Sequence, residues 1–330
     1  MTYSSGGLIQ AADYNGFVST NVGANVNATW GTGVTSAGYG QTAIATVSAA
    51  GTVTATQWAS LVNTITSIAA HQGTTITART APTTGSTINV LAAVNTDITN
   101  CYNNRGNAAA NGTQFTGWTG TNSKTDTTGP SGGGGWQITF TNTVTFASVD
   151  AARYFFNAGG RIKIDVSKTS TGATGDPEWN DLANTLCGDI FITGGDYSQT
   201  IAGVTYTGTT KSGGTGTPNT LATTIGWFDL STSGIIPPYS LVYKQFADTA
   251  PYTSNYISHE LQKNSAGTAL NIDTVWRSVE GDGISGGSAA SGATPGTAPC
   301  TIVTYFPPST SNLSNTWGTP TVTAQVTAFV

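Results

Sequence analysis

The sequence predicts an α+β protein: a helical N-terminal region followed by an antiparallel β-sandwich of jelly-roll type. Three observations carry this expectation. Apolar residues in the first third recur at helical spacing, and those beyond residue 136 recur at every second position. Between the two regimes lies "GTNSKTDTTGPSGGGG" (residues 120–135), with Pro130 and four successive glycines. The expected organisation is a helical region over 1–119, a linker or long loop over 120–135 and a β-sandwich domain over 136–330.

The helical region contains a repeat. "LIQAADYNGFVSTN" (8–21) aligns with "TVTATQWASLVNTI" (52–65) at an offset of 44 residues. Ile9, Tyr14, Phe17, Val18 and Asn21 meet Val53, Trp58, Leu61, Val62 and Ile65, and the 14/17/18 and 58/61/62 spacing is the i, i+3, i+4 stripe of an amphipathic helix. Tyr14, Phe17, Trp58 and Leu61 are therefore the expected packing and assembly residues of this region. Thr54 and Gln57 read as a capping box, with Gln10 and Asp13 in the matching positions. Gly16, inside the first helix, should weaken it by about 1 kcal/mol relative to Ala unless a close contact needs the space. A third helix is expected from about Ile88, with Ser86 or Thr87 as cap and a stripe of Ile88, Leu91, Val94, Ile98 and Cys101. "GTGVTSAGYGQT" (31–42), which joins the first two helices, lacks the strand before it and the Lys of a phosphate loop and reads as an ordered connector.

Period-two patterns dominate beyond the linker. Ile138, Phe140, Val144 and Phe146 share one parity; Ile162, Ile164 and Val166 share another; Val322, Ala324, Val326 and Ala328 a third. Further strands are expected at 189–193, 204–207, 225–230, 240–246, 256–263, 272–279 and 301–306, with one short helix or turn at 176–186. In "DAARYFFNAGGRIKIDVS" (150–167), the triple Tyr154, Phe155, Phe156 is expected in a strand. Tyr154 and Phe156 would face one way and Phe155 the other, with residues 157–160 turning the chain and Gly159 and Gly160 supplying positive φ. A strand with aromatics on both faces needs a second cover, and a neighbouring protein covering Phe155 is the expectation.

Composition narrows the function classes. Only 8% of residues are Asp, Glu, Lys or Arg, against about 25% in an average soluble protein. A surface of hydroxyls and amides suits a subunit covered by neighbours, while 38% hydrophobic residues argue against a disordered chain. The net charge of −5 falls wholly beyond residue 130, and no basic stripe exists, so no nucleic-acid partner is expected. No apolar run approaches the roughly 18 residues of a membrane span, and "MTYSSGGLIQ" lacks the basic start and apolar core of a secretory signal. Cys101, Cys187 and Cys300 give neither a disulfide framework nor a zinc spacing.

Candidate chemistry is sparse. His71 and His259 belong to no spaced ligand set. Glycoside hydrolysis needs two carboxylates at a fixed distance. The glutamates are Glu178, Glu260 and Glu280, and "GDPEWND", with Asp176, Glu178 and Asp181, is the place to look for such a pair or for oxygen ligands to a metal. Trp179 beside them is the aromatic to test for stacking on a host glycan, against core packing as the plainer reading. No cofactor and no catalytic residue is expected.

Three features taken together, "LIQAADYN", the "GTGVTSAGYGQT" connector with "GTVTATQW", and "ARYFFNAGGRIKI", resemble a family of virion structural, tail-fibre-like proteins of tailed bacteriophages, especially marine and cyanobacterial ones. In that family a helical module of the "ITAADYN … GYGQT … ITATQWN" type precedes a β-rich part carrying "RYFFNAGG". The resemblance covers residues 6–72 and 150–166, about a quarter of the chain. It implies a non-enzymatic virion subunit, made in the host cytoplasm and released by lysis, whose partners are copies of itself and other virion proteins. A tail location (tube, baseplate or fibre) is expected, with a capsid decoration protein or a host-glycan-binding tail module as alternatives.

Overall fold

The computed structural model describes residues 10–20, 24–33, 37–85, 93–108, 122–123, 136–169, 176–195, 197–233, 239–279 and 299–326. Expectations resting on Ile9, Asn21, Ser86, Thr87, Ile88, Leu91, Glu280, Ala328 and most of 120–135 lie outside them. In chain order the helices are α1 (Ala11–Asn15), α2 (Val26–Trp30), α3 (Ala55–Gln72), α4 (Val94–Asn103), α5 (Val149–Asn157) and α6 (Asp176–Asp181). The strands are β1 (Asn122–Ser123), β2 (Gln137–Thr145), β3 (Arg161–Lys168), β4 (Asp189–Ile192), β5 (Gln199–Ile201), β6 (Val204–Tyr206), β7 (Thr209–Ser212), β8 (Thr220–Leu221), β9 (Thr232–Ser233), β10 (Ser240–Phe246), β11 (Tyr256–Asn264), β12 (Ala269–Arg277), β13 (Pro299–Phe306) and β14 (Thr321–Val326). The protein is α+β.

Among the described residues a helix lies within each of the three stretches expected to be helical, although the first, α1, spans only Ala11–Asn15. Thr54 accepts from the Gln57 N–H at 3.3 Å while Gln57 Oε1 accepts from the Thr54 N–H at 2.9 Å, which satisfies two orphan donors at the start of α3. Gly73, at φ 70°, ends that helix. In the first repeat unit Asp13 reaches back to the Gln10 N–H at 3.4 Å. Helix α1 then widens at Gly16 into a π-helical turn, Gly16–Thr20. Gly16 is buried. Helix α4 carries the expected Val94, Ile98 and Cys101 stripe, buried together with Asp97.

Strands β1, β13, β3, β4 and β7 form one sheet in that order, and β14, β2, β12, β11, β10 and β8 form the core of a second. Strand β9 adds to β11 in parallel, and β5 pairs β6 in a hairpin. Apart from β9, the strand pairs are antiparallel among the described residues. Strand β2 shows the alternation its sequence demands: Ile138, Phe140 and Val144 are fully buried and Gln137, Thr139, Thr141 and Thr143 are partly exposed. One hydrophobic cluster joins Tyr14, Trp58 and Leu61 from the helices, Ile162, Ile190 and Val303 from the first sheet, and Phe140, Ile257 and Ile272 from the second.

Two expected strands are absent. Residues 225–230 turn through a 3₁₀ segment, Trp227–Asp229, because Asp229 accepts from the Gly226 N–H at 3.0 Å and closes the turn. The Tyr154–Phe155–Phe156 triple lies in helix α5. Ser148 caps it by accepting from the Ala151 N–H at 3.0 Å, and Asp150 sits in its first turn and pairs with Arg153 at 2.7 Å. Residues 157–160 are therefore a helix-to-strand corner and not a hairpin turn. Gly159, at φ +94°, makes the reversal, and a Cβ there would lie 2.8 Å from Ala108 Cβ. A Cβ on Gly160 would lie 2.5 Å from the Phe155 ring.

Candidate functional site

The residues singled out in the sequence fall into three places. In the helical part, the Tyr14 and Phe17 rings lie 6.1 and 6.0 Å from the Trp58 ring, so the two repeat units pack through that indole. Tyr14 Oη also donates to the Gln57 carbonyl at 3.3 Å. Leu61, one turn on from Trp58, is fully buried in the same cluster.

The second place is the corner around α5. Phe155 and Phe156 are both 0% exposed. Successive helix positions are about 100° apart, so adjacent rings reach different layers. Phe155 meets Phe146 at 5.3 Å and Tyr305 at 6.3 Å, touching the end of β2 and the end of β13. Phe156 meets Phe146 at 5.8 Å and stacks on Trp227 at 5.4 Å. The expectation that a neighbouring protein covers Phe155 is corrected: the chain's own second sheet and β13 cover it, because a helix and not a strand presents the ring. Tyr154 is partly buried and lies over the connector, where a Cβ on Gly40 (φ +70°) would come within 2.3 Å of its ring.

Around this corner the quoted motifs hold one another. Asn157, in "RYFFNAGG", donates through Nδ2 to the Gly38 carbonyl at 2.9 Å and accepts from Tyr197 Oη at 3.2 Å. Tyr39, in "GYGQT", is fully buried and donates to the Arg105 carbonyl at 2.9 Å while accepting from Gln72 Nε2 at 2.9 Å. Gln41 and Ser314 exchange two hydrogen bonds, Nε2 to carbonyl at 2.9 Å and N–H to Oε1 at 2.8 Å. The connector is pinned the same way at Asn27 with Ile44 and at Asn15 with Val47. His71 lies 3.0 Å through Nε2 from the Ala158 carbonyl, and its ring is edge-on to Tyr39 at 5.2 Å. A carbonyl can only accept, so Nε2 carries the proton. Nδ1 is buried with no partner, and burial lowers the His71 pKa to about 4.

The third place is "DPEWND". Trp179 is 0% exposed and lies between Trp136, at 4.9 Å, and Trp276, at 5.7 Å. It has no face to offer a glycan, because α6 turns it into the core; the glycan expectation at this residue is corrected. Glu178 is buried beside it, and desolvation, then Asp181 and Asp248, raises its pKa against hydrogen bonds from Thr249. Among the described residues no three Asp, Glu, His or Cys side chains are grouped to hold a metal ion. His259 is fully buried. It stacks on Tyr243 at 5.2 Å and contacts Thr274 Oγ1 at 3.0 Å, and burial lowers its pKa to about 3.

One group escaped the sequence reading. Arg161, directly after the Gly-Gly pair, is buried with its guanidinium 4.6, 4.8 and 5.5 Å from the ring centres of Tyr206, Phe306 and Phe191. Alternation along β3 placed it opposite Ile162 and so on an outward face. The hairpin β5–β6 and the end of β13 supply a ring box there that no local pattern announces.

No protein-family model, no curated protein and no solved structure matches the chain.

Proposed function

We propose that the chain is a non-enzymatic structural subunit of a tailed-phage virion, tail-associated as part of a tube, baseplate or fibre, with copies of itself and other virion proteins as partners. The observation that carries this reading is the mutual engagement of the motifs behind the family resemblance. Gly38, Tyr39 and Gly40 of the connector, His71 and Gln72 at the end of α3, and Tyr154 to Gly160 around α5 are spent on one another. Residues so engaged build a scaffold and are not free to act on a substrate. The motif set thus behaves as a folding signature, which suits a family defined by its place in a particle.

We infer further that the two larger sheets face each other as a sandwich of jelly-roll type, behind a helical N-terminal region that serves as anchor. The shared cluster, with inward residues from both sheets and from α1 and α3, supports this arrangement. The low charge also supports a surface covered in an assembly.

Quantitative mass spectrometry of particles purified from a lysate of producing cells tests the reading. A fixed copy number in the particle supports it, and absence from particles overturns it. A handful of copies per particle fits a baseplate or fibre. A copy number that scales with tail length fits a tube, and one that scales with the capsid lattice would replace the tail location by capsid decoration.

A further inference from the structure

We propose that Glu260 and Asp273, on the outer face of the second sheet, share one proton and form an acid-closed latch between β11 and β12. The two residues are direct partners in the antiparallel register of these strands, which brings their Cβ atoms to about 4.5–5.5 Å. Leu261 and Ile272, one position along, belong to the hydrophobic cluster between the sheets. Strand alternation therefore turns Glu260 and Asp273 to the opposite face, where both are only partly exposed. Strands β12 and β11 lie in the middle of the order β14, β2, β12, β11, β10, β8, so the pair acts on the centre of the sheet and not on an edge.

The surroundings leave the pair without a counter-ion. From β2, Thr141 stands opposite Asp273 and donates through Oγ1 to Oδ1 at 2.7 Å, which leaves Oδ2 for Glu260. From β10, the uncharged Leu241 stands opposite Glu260. Lys244, further along β10, holds its Nζ 3.6 Å from the Tyr256 ring centre and 4.6 Å from that of Phe246. The next outward positions are Ser258 and Gln262 on β11 and Asn271 and Val275 on β12, all uncharged. Arg277 sits at the far end of β12, opposite Tyr256 and Gln137. Tyr239, just before β10, is near enough that the two carboxylates add to burial in raising its phenol. Among the described residues no Lys or Arg comes within ion-pair distance of either carboxylate.

Like charges directly opposite each other on neighbouring strands weaken the pairing while both are ionised. One proton removes the repulsion and supplies an O–H that the remaining carboxylate accepts, a charge-assisted hydrogen bond across the two strands. Burial and then the Asp273 charge raise Glu260 above its ordinary 4.5, against Lys244. Burial raises Asp273 above its ordinary 3.8, against the bond from Thr141. A carboxyl raised in the folded state adds stability as pH falls through its folded value and loses it as pH rises again. The latch closes in mild acid and slackens toward neutral pH.

The test is a carboxyl-carbon NMR titration of the full-length chain between about pH 3 and 8, the span that covers both carboxyls. The expected result is a coupled titration: each of the two carbons reports two steps, separated by more than about one pH unit. Glu260→Gln, which keeps the shape of the side chain, should collapse the Asp273 curve to a single step, and Asp273→Asn should lower the Glu260 step. The thermal midpoint of the wild type should rise relative to that of Glu260→Gln as the pH falls through the upper step. Single, independent steps at the ordinary values overturn the proposal. So does an Asp273 curve that Glu260→Gln leaves unchanged, or a midpoint difference that does not vary with pH. The titration of the wild type needs no variant to fold, and it succeeds or fails independently of the virion reading.

Discussion

At the scale of single residues, burial decides what Phe155 and His71 do. Phe155 fills the angle between Phe146, Phe156 and Tyr305. Removing a fully buried ring loses its transfer free energy and leaves a cavity, so Phe155→Ala is expected to cost about 3–5 kcal/mol of folding stability. A denaturant midpoint measures this, and a folded monomer with unchanged midpoint would contradict it. His71 titrates with a folded pKa of about 4, below its ordinary 6.5, with its Nδ1 buried and unpartnered. A depressed pKa contributes stability that is present above 6.5 and is lost as pH falls through 4. Carboxyls raised by burial, Glu178 and Asp273 among them, act in the opposite sense, because acid relieves their penalty. The histidine contribution is therefore read as a difference. Between pH 6.5 and 4 the wild type loses about 3 kcal/mol more than His71→Gln. Glutamine can keep a donor to Ala158 but has no proton to gain, and parallel stability curves for the two proteins would exclude the effect.

At the scale of elements, caps and side-chain amides set where each piece of chain begins, ends and docks. The Thr54–Gln57 box, the Ser148 cap and the paired bonds of Asn15, Asn27 and Gln41 with extended backbone all do this. The segment between α3 and α4 is held by charge instead. Arg79 pairs with Asp97 with side chains only 2% and 5% exposed, and the Thr77 N–H donates to the same carboxylate at 3.3 Å. Removing one member of a buried pair strands the other, so Asp97→Ala should destabilise by about 3–5 kcal/mol. Replacing both residues by apolar ones of similar volume should recover most of that loss in thermal unfolding. Helix α5 shows what was legible and overlooked. Ser148, Asp150 and the buried Ala151, Ala152, Phe155 and Phe156 form a cap, an acidic first turn and an i, i+1, i+4, i+5 stripe. Three adjacent aromatics before Gly-Gly looked like strand and turn because aromatics favour sheets, and two alanines carry too little weight to mark a helical face. Strand β2, long and strictly alternating, left no such choice.

At the scale of the molecule, the helices are not an appendage to the sheets. The connector reaches α5 through Gly38 and Gly40 and reaches residues 314–316 through Tyr39 and Gln41, and α3 reaches the α5 corner through His71. With one hydrophobic cluster running through all of them, α3 and β11 are expected to unfold together. Native-state hydrogen exchange should give their slowest amides the same opening free energy within about 1 kcal/mol. A clearly less protected α3 would mean the helices open on their own.

The sequence by itself determined the helical stripes of α1, α3 and α4, the alternation of β2 and β3, the α+β class and the scarcity of charge. Each of these is written in local spacing or in composition. Only the tertiary structure decided that Phe155 and Trp179 face inward, that Arg161 enters a ring box, and that Gly216 lies against the Gln245 amide. Those outcomes depend on groups far apart in the chain, such as Phe155 with Tyr305 or Gly216 with Gln245. Burial is a property of what the rest of the chain places over a side chain, and no local period encodes it.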